Sequence, residues 1–206
     1  MFMKVPSLEY EKKLWRQGYR HIAGIDEVGR GAWAGPVLVG AVIFPEGLEI
    51  PQGLKDSKQL KAAEREKFAD IIKTEALSFS VGISSVVLIN RFGIGKATQM
   101  AMRQAIKNLH IPPDFHIIDA FYVNHIKKAT QLPIKKGDEC AVTIAAASVI
   151  AKVFRDNLMV QLGKKFPGYF FEFHKGYGTK KHQEAIRRFG FSRVHRKSFD
   201  LAWVLR

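Results

Sequence analysis

The sequence predicts an α/β fold that ends in a helical cap, and three observations carry that expectation. Short apolar runs alternate with longer stretches of helical periodicity, the strand-then-helix order of an α/β sheet. Two of the runs, 21–25 and 115–118, lead straight into acids, Asp26 and Asp119. Open α/β sheets place ligand-binding side chains at such strand ends. After Phe166 the chain turns basic and aromatic and carries one further helical pattern.

Taken in order, residues 8–18 carry charges interrupted by Leu8, Leu14 and Trp15, the pattern of a short amphipathic helix that ends near Gly18. Strands are expected over 21–25, 36–44 and 77–85, the last alternating Phe79, Val81 and Ile83 with small residues. Helices are expected over 58–76, with Leu60, Phe68, Ile71 and Ile72 among charges, and over 94–109, with Met100, Met102, Ile106 and Leu109. A strand over 115–118 follows. Residues 141–154 then read as a largely buried helix that packs closely through its alanines. Pro167, Gly168 and the aromatic group Tyr169, Phe170, Phe171 and Phe173 precede a last helix over 179–189. No repeat, low-complexity tract or long linker interrupts this order, so the expectation is one domain, 1–206, with a core over 1–165 and a cap over 166–206.

A chain of 206 residues with 47% hydrophobic content can bury a sizeable core. Its formal charge is +14, and the last 55 residues carry 13 Lys and Arg against 4 Asp and Glu. The C-terminal quarter is therefore the expected polyanion face. The single cysteine, Cys140, excludes an internal disulfide, fits a reducing compartment and reads as a small buried apolar residue. The uncharged stretch 31–45 is 15 residues long and holds three glycines and two prolines, short of the ~20 apolar residues of a membrane helix. The first residues lack a signal-peptide core. A cytoplasmic monomer with no membrane partner is expected.

The chemistry concentrates in carboxylates. Asp26 and Glu27 are hard oxygen ligands suited to Mg²⁺ or Mn²⁺, and they run directly into Gly29-Arg30-Gly31, where bare amides and a guanidinium can meet a phosphate or sugar. Neighbours on a regular strand point to opposite faces, so the pair is expected to share a site only where the strand ends, bulges or twists. An isolated Asp-Glu pair equally suits a surface turn. Asp119 adds an acid at a second strand end, and Asp138 sits just before the 141–154 helix, where it can also cap the N-terminus. Clustered acids repel unless cations neutralise them, and two divalent ions are the natural cofactors of a phosphodiester hydrolase. No histidine has zinc spacing with the lone cysteine, and Gly93-Ile94-Gly95-Lys96 lacks the P-loop spacing.

These blocks, in order, resemble the type 2 ribonuclease H, or ribonuclease HII, family. They are Gly24-Ile25-Asp26-Glu27-Val28-Gly29-Arg30-Gly31, Asp56-Ser57-Lys58-Gln59-Leu60, Ile118-Asp119, Lys136-Gly137-Asp138, the run from Ala145 through Ser148, Lys152 and Arg155 to Asp156, and His174-Lys175-Gly176-Tyr177-Gly178-Thr179. The resemblance implies a ribonuclease-H-like mixed central sheet flanked by helices, with a C-terminal helical region that helps hold substrate. It implies that Asp26, Glu27, Asp119 and Asp138 are the catalytic, metal-binding acids. Gly29, Arg30 and Gly31 match the segment that reads a ribose 2′-hydroxyl, Lys58 a phosphate-contacting lysine, and Tyr177 the tyrosine that packs on the sugar on the DNA side of an RNA to DNA junction. Two departures stand out. Ala120 follows Asp119 where the family usually has glycine, and the segment from Ser192 to Phe199 lacks the usual Pro-Cys lead-in.

The implied activity is metal-dependent endonucleolytic hydrolysis of the RNA strand of RNA/DNA hybrids, with cutting 5′ of ribonucleotides embedded in duplex DNA. The products would carry 3′-hydroxyl and 5′-phosphate ends. Two rivals remain at this stage. A junction-cutting or strand-transfer nuclease of the same fold would use similar acids without a 2′-hydroxyl reader, and a non-catalytic binder would use the basic C-terminal region alone.

Overall fold

The computed structural model describes residues 5–51, 53–55 and 57–205. The elements run α1 (Glu9–Arg16), β1 (Ile22–Val28), β2 (Val37–Ile43), α2 (Ala62–Glu75), β3 (Ser78–Ser84), α3 (Val86–Asn108), β4 (Phe115–Asp119), β5 (Gln131–Ile134), α4 (Val142–Lys165), α5 (Phe171–His174) and α6 (Lys180–Phe189). The strands form one sheet in the order β3-β2-β1-β4-β5. β1, β2 and β3 pair antiparallel, whereas β1-β4 and β4-β5 pair parallel, so the sheet is mixed as expected.

Alternation along β1 divides the core into two layers. Ile22 packs with Val42, Ile117 and the α4 residues Val142, Ala146, Val149 and Ile150. Ala23 and Ile25 instead pack with Val39, Ala41 and the α3 residues Ala101, Met102 and Ala105. Burial of each such Ile or Val side chain contributes about 1.5–3 kcal/mol. The long alanine-rich helix lies against the sheet almost backbone to backbone. A Cβ on Gly24 would stand 2.2 Å from the Thr143 carbonyl carbon, and one on Gly40 would stand 2.2 Å from the Ala147 oxygen. Glycine on the strands and alanine on the helix are what allow that approach.

α1 is held by its acid rather than only its apolar face. Glu11 is fully buried and accepts hydrogen bonds from the Thr143 amide at 3.0 Å and the Thr143 hydroxyl at 2.8 Å. It supplies a hydrogen-bond acceptor to the first turn of α4, whose own cap residue, Ala141, has no polar side chain to offer.

Several boundaries differ from the sequence reading, each for a local reason. The expected helix over 94–109 is the second part of α3, which already begins at Val86 and breaks helical geometry only at Gly93 (φ 77°). α4 runs on to Lys165, well past 154. β5 is a four-residue strand interrupted by Pro133, too short to show a period. In β3, Phe79 and Val81 pack partly buried against the core on one face and Ile83 is 44% exposed, while the alternating small residues Ser78, Ser80, Gly82 and Ser84 are buried on the other face. Helix α3 approaches that face so closely that only small residues fit, a Cβ on Gly82 meeting the Ala101 oxygen at 2.0 Å. Cys140 is half-buried beside the core rather than inside it.

Candidate active site

Ile25 of β1 pairs with Ile118 of β4, so the next residues on these parallel strands, Asp26 and Asp119, stand side by side at the C-terminal edge of the sheet. β1 neither ends nor bulges at Asp26, two of the three ways in which the pair was expected to share a site. It stays paired with β2 through Asp26, Glu27 and Val28, opposite Gly40, Val39 and Leu38. The two acids therefore leave the strand on opposite faces. They share a site because the cavity wraps the strand where β4 stops.

That cavity, of about 580 Å³, is lined by Asp26, Glu27, Gly29, Arg30, Gly31, Lys58, Asp119 and Tyr177, eight of the nine residues singled out in the sequence. Ser57, Arg65, Ser148 and Lys152 line it too. The ninth, Asp138, is buried just behind, in a 3-10 turn from Gly137 to Glu139. It does not cap α4, whose cap position is Ala141. The turn instead serves the site, since the Gly137 amide donates to Asp119 Oδ1 at 2.8 Å. Asp56, which opens the 56–60 block, lies outside the described residues.

Burial and crowding set the electrostatics. Asp26 is buried, and loss of solvent pushes its pKa well above the usual carboxylate range. A hydrogen bond from Ser148 opposes that shift, and the charges of Glu27, Asp119 and Asp138 add to it. Asp26 Oδ1 also accepts from the Glu27 amide at 2.8 Å. Burial raises Glu27 to about 7, against the pull of Arg30, whose guanidinium lies 3.7 Å from Glu27 Oε1. Lys58 Nζ sits 2.8 Å from Asp138 Oδ2.

This donor set fits divalent cations. Three hard carboxylates line the cavity with Asp138 buried behind them, and among the described residues Glu27 Oε2 is buried with no hydrogen-bond partner. Among the described residues no three acids, histidines or cysteines converge into a ready metal cage. Lysine and arginine heads supply the counter-charge in this arrangement.

The Gly29-Arg30-Gly31 loop is built by two arginines that the sequence reading assigned no role. Gly29 has φ 88°, and a Cβ there would meet Arg155 Nε at 2.0 Å. Arg155 is fully buried, donates to the carbonyls of Pro36 at 3.2 Å and Ala34 at 3.3 Å, and lies 5.4 Å from the centre of the Tyr177 ring. Arg196 is also fully buried and donates to the carbonyls of Gly29, Arg30 and Gly35 at 2.7, 2.7 and 3.0 Å. Burial, with Arg155 nearby, lowers its pKa to about 9, which leaves it charged at neutral pH. The sequence signal for Arg155 lay in the 145–156 block, and that for Arg196 in the divergent segment from Ser192 to Phe199. Ser148, from the same block as Arg155, is a further contributor, bonding both Asp26 and Ser57.

Comparison with known proteins places this geometry. A profile described as ribonuclease HII matches residues 23–202. The chain is 50% identical over 194 residues to a ribonuclease HII of Bacillus cereus (strain Q1), covering 93% of this chain and 73% of that protein. Its structure is similar to the ribonuclease H2 of Pyrococcus horikoshii OT3, with a TM-score of 0.72 at 24% identity over 87% of this chain and 94% of that one. It is also similar to a Bst ribonuclease HIII in complex with Mn²⁺, with a TM-score of 0.67 at 22% identity over 88% and 68% of the two chains. The profile match and the half-identical relative agree with the acid-bearing mixed sheet, and the chain belongs to the ribonuclease HII family of endoribonucleases.

Proposed function

We propose that this protein hydrolyses the RNA strand of RNA/DNA hybrids and cuts 5′ of ribonucleotides embedded in duplex DNA, leaving 3′-hydroxyl and 5′-phosphate ends. The observation that carries the reading is the junction of two devices in one cavity. Asp26 and Asp119 stand at adjacent strand ends with Glu27, and a Gly-Arg-Gly loop faces Tyr177 across them.

Asp26, Glu27, Asp119 and Asp138 are the proposed metal-binding and catalytic acids, and Mg²⁺ or Mn²⁺ the cofactor, two ions at a time. When bound, such ions would activate a water and stabilise the leaving oxygen of an in-line displacement. The Mn²⁺ complex of the ribonuclease HIII supports this choice of ion class. The orphaned Glu27 Oε2 supports it from this chain's own residues.

The rest of the cavity binds and selects. Gly29 and Gly31 bring backbone close to a ribose without a Cβ in the way, and the 2′-hydroxyl is what separates RNA from DNA at one nucleotide. Arg30 and Lys58 take phosphates, exchanging their carboxylate partners for substrate oxygens as cations enter. Tyr177, 37% exposed, packs on the neighbouring sugar. The chain works as one domain, with residues 166–206 as the substrate-holding cap, as a cytoplasmic monomer.

The test is hydrolysis of a labelled hybrid beside an all-DNA duplex of the same sequence, in Mg²⁺, Mn²⁺ and chelator. Cutting of the hybrid alone, and only with metal, supports the reading. Equal cutting of both duplexes favours a junction-type nuclease, and binding without cutting a passive binder.

A further inference from the structure

The loop after β4 holds two aromatic rings out into solvent. Phe121 and Tyr122 are 44% and 45% exposed, yet the backbone beneath them is pinned from both sides. Gln131 accepts from the Val123 amide at 2.8 Å and donates to the carbonyls of Val123 at 3.1 Å and Ile126 at 2.9 Å. Gln99 on α3 donates to the Tyr122 carbonyl at 2.9 Å and accepts from the Asn124 amide at 2.8 Å. The Val123 side chain is buried in the α3-facing core. Two residues of this loop's framework, Ala120 at φ 62° and, five residues on, His125 at φ 69°, occupy the left-handed region that non-glycine residues avoid.

Each ring carries a cation on one face. The Arg30 guanidinium lies 4.9 Å from the centre of Phe121, and Lys128 Nζ lies 5.6 Å from that of Tyr122. The surroundings are free of acids over long stretches of chain. Residues 76–113 hold Arg91, Lys96, Arg103 and Lys107 and no Asp or Glu, and residues 120–137 hold Lys127, Lys128, Lys135 and Lys136 and again no acid. This face adjoins the site through Arg30. Rigid aromatic rings set in a cationic surface are how proteins hold unpaired nucleic acid, bases stacking on the rings while phosphates meet the cations.

We propose that Phe121 and Tyr122 form a stacking platform for a single-stranded extension of the nucleic acid, leading away from the cleavage site past Arg30. The inference rests on the reading that the cavity takes a ribonucleotide-containing duplex. It adds that a duplex carrying an unpaired tail is held better than a blunt one.

The experiment is fluorescence-anisotropy binding in chelator, using a blunt hybrid and the same hybrid with a dT tail of about six nucleotides on either end. The proteins compared are the wild type, Phe121→Ala, Tyr122→Ala and the double variant. Both rings are surface groups, so the variants are expected to fold, and circular dichroism melting checks this. One tail is expected to tighten wild-type binding by about fivefold or more, and the double variant to lose that gain while binding the blunt duplex as before. No tail effect in the wild type, or a tail effect that survives the double variant, would overturn the platform. Equal weakening on blunt and tailed duplexes would also overturn it and place duplex on these rings. Binding is read without turnover, so the platform is judged whether or not the hybrid is cut. Failure to cut any hybrid in Mg²⁺ or Mn²⁺ counts against the functional reading alone.

Discussion

Arg196 donates its Nη2–H to the carbonyl of Gly29 at 2.7 Å, across 167 positions of sequence. With further bonds to the carbonyls of Arg30 and Gly35, the guanidinium holds two carbonyls of the Gly29-Arg30-Gly31 loop and one just beyond it. The C-terminal segment thereby sets the shape of a loop on the opposite end of the chain.

Arg196→Lys keeps the charge but replaces a planar fork with one ammonium, which cannot reach three carbonyls. Loss of buried charge-assisted bonds should lower stability by about 3 kcal/mol. Denaturant unfolding checks that figure. At temperatures where the variant stays folded, kcat/KM on a hybrid should still fall by about tenfold or more, with discrimination between hybrid and DNA reduced. An unchanged discrimination ratio would make Arg196 a purely structural residue.

Gly29→Ala brings a Cβ within 2.0 Å of Arg155 Nε at a backbone angle L-residues resist. Arg155 must move, and Tyr177 rests against it. The variant should lose hybrid cleavage far more than Gly31→Ala, where a Cβ would meet nothing within 4 Å. Side-by-side kinetics of the two variants decide it.

Ala120 stands at φ 62°, a left-handed position that its family usually fills with glycine. Relief of that strain exceeds the added entropy of the unfolded chain, so Ala120→Gly should stabilise the protein by about 0.5–1 kcal/mol. A thermal melt showing the variant less stable would contradict this.

The acids, the strand-helix order and the glycines of close approach were legible in the sequence because each follows from local chemistry. What was not legible depends on contacts distant in sequence. Asp26 and Glu27 were expected to need a strand end, bulge or twist to meet, yet they line one cavity from a strand that stays paired with β2, because β4 stops at Asp119, level with Asp26, while β1 runs on to Val28. Asp138 looked like a helix cap, and the 3-10 turn around it serves Asp119 instead. The alternation of Phe79, Val81 and Ile83 with small residues did not show that the small set is the buried one, because α3 lies so near that face that a Cβ on Gly82 would meet the Ala101 oxygen at 2.0 Å. No periodicity in the last 15 residues shows that Arg196 reaches Gly29.

Acid should weaken the C-terminal segment. His182 and His195 face each other at 3.0 Å between their Nε2 atoms, and burial lowers their pKa values to about 3 and about 4. The unfolded histidines titrate near 6.5. Below that pH the unfolded state binds protons the folded one refuses, so stability is fully present above 6.5 and is lost as pH falls toward 4. Glu27, raised to about 7, works in the opposite sense, losing stability as pH rises from 4.5 to 7. Urea unfolding between pH 4 and 7 should therefore show a steeper acid loss for Glu27→Gln than for the wild type.

Divalent cations should raise the melting temperature, since ions that bind the folded carboxylates and not the unfolded chain stabilise by mass action. Asp26→Asn should lose most of that gain. An equal Mg²⁺ or Mn²⁺ shift in both proteins would place the ions elsewhere.

The most direct measurement is cleavage of a DNA duplex carrying one ribonucleotide, with wild type and Asp26→Asn compared in Mg²⁺ and Mn²⁺ and binding measured in parallel. The account predicts a single cut 5′ of the ribonucleotide by the wild type, none in the all-DNA duplex, and a rate lower by about 100-fold or more in Asp26→Asn with binding retained. Cleavage by Asp26→Asn at the wild-type rate, or cutting that ignores the ribonucleotide, would contradict it.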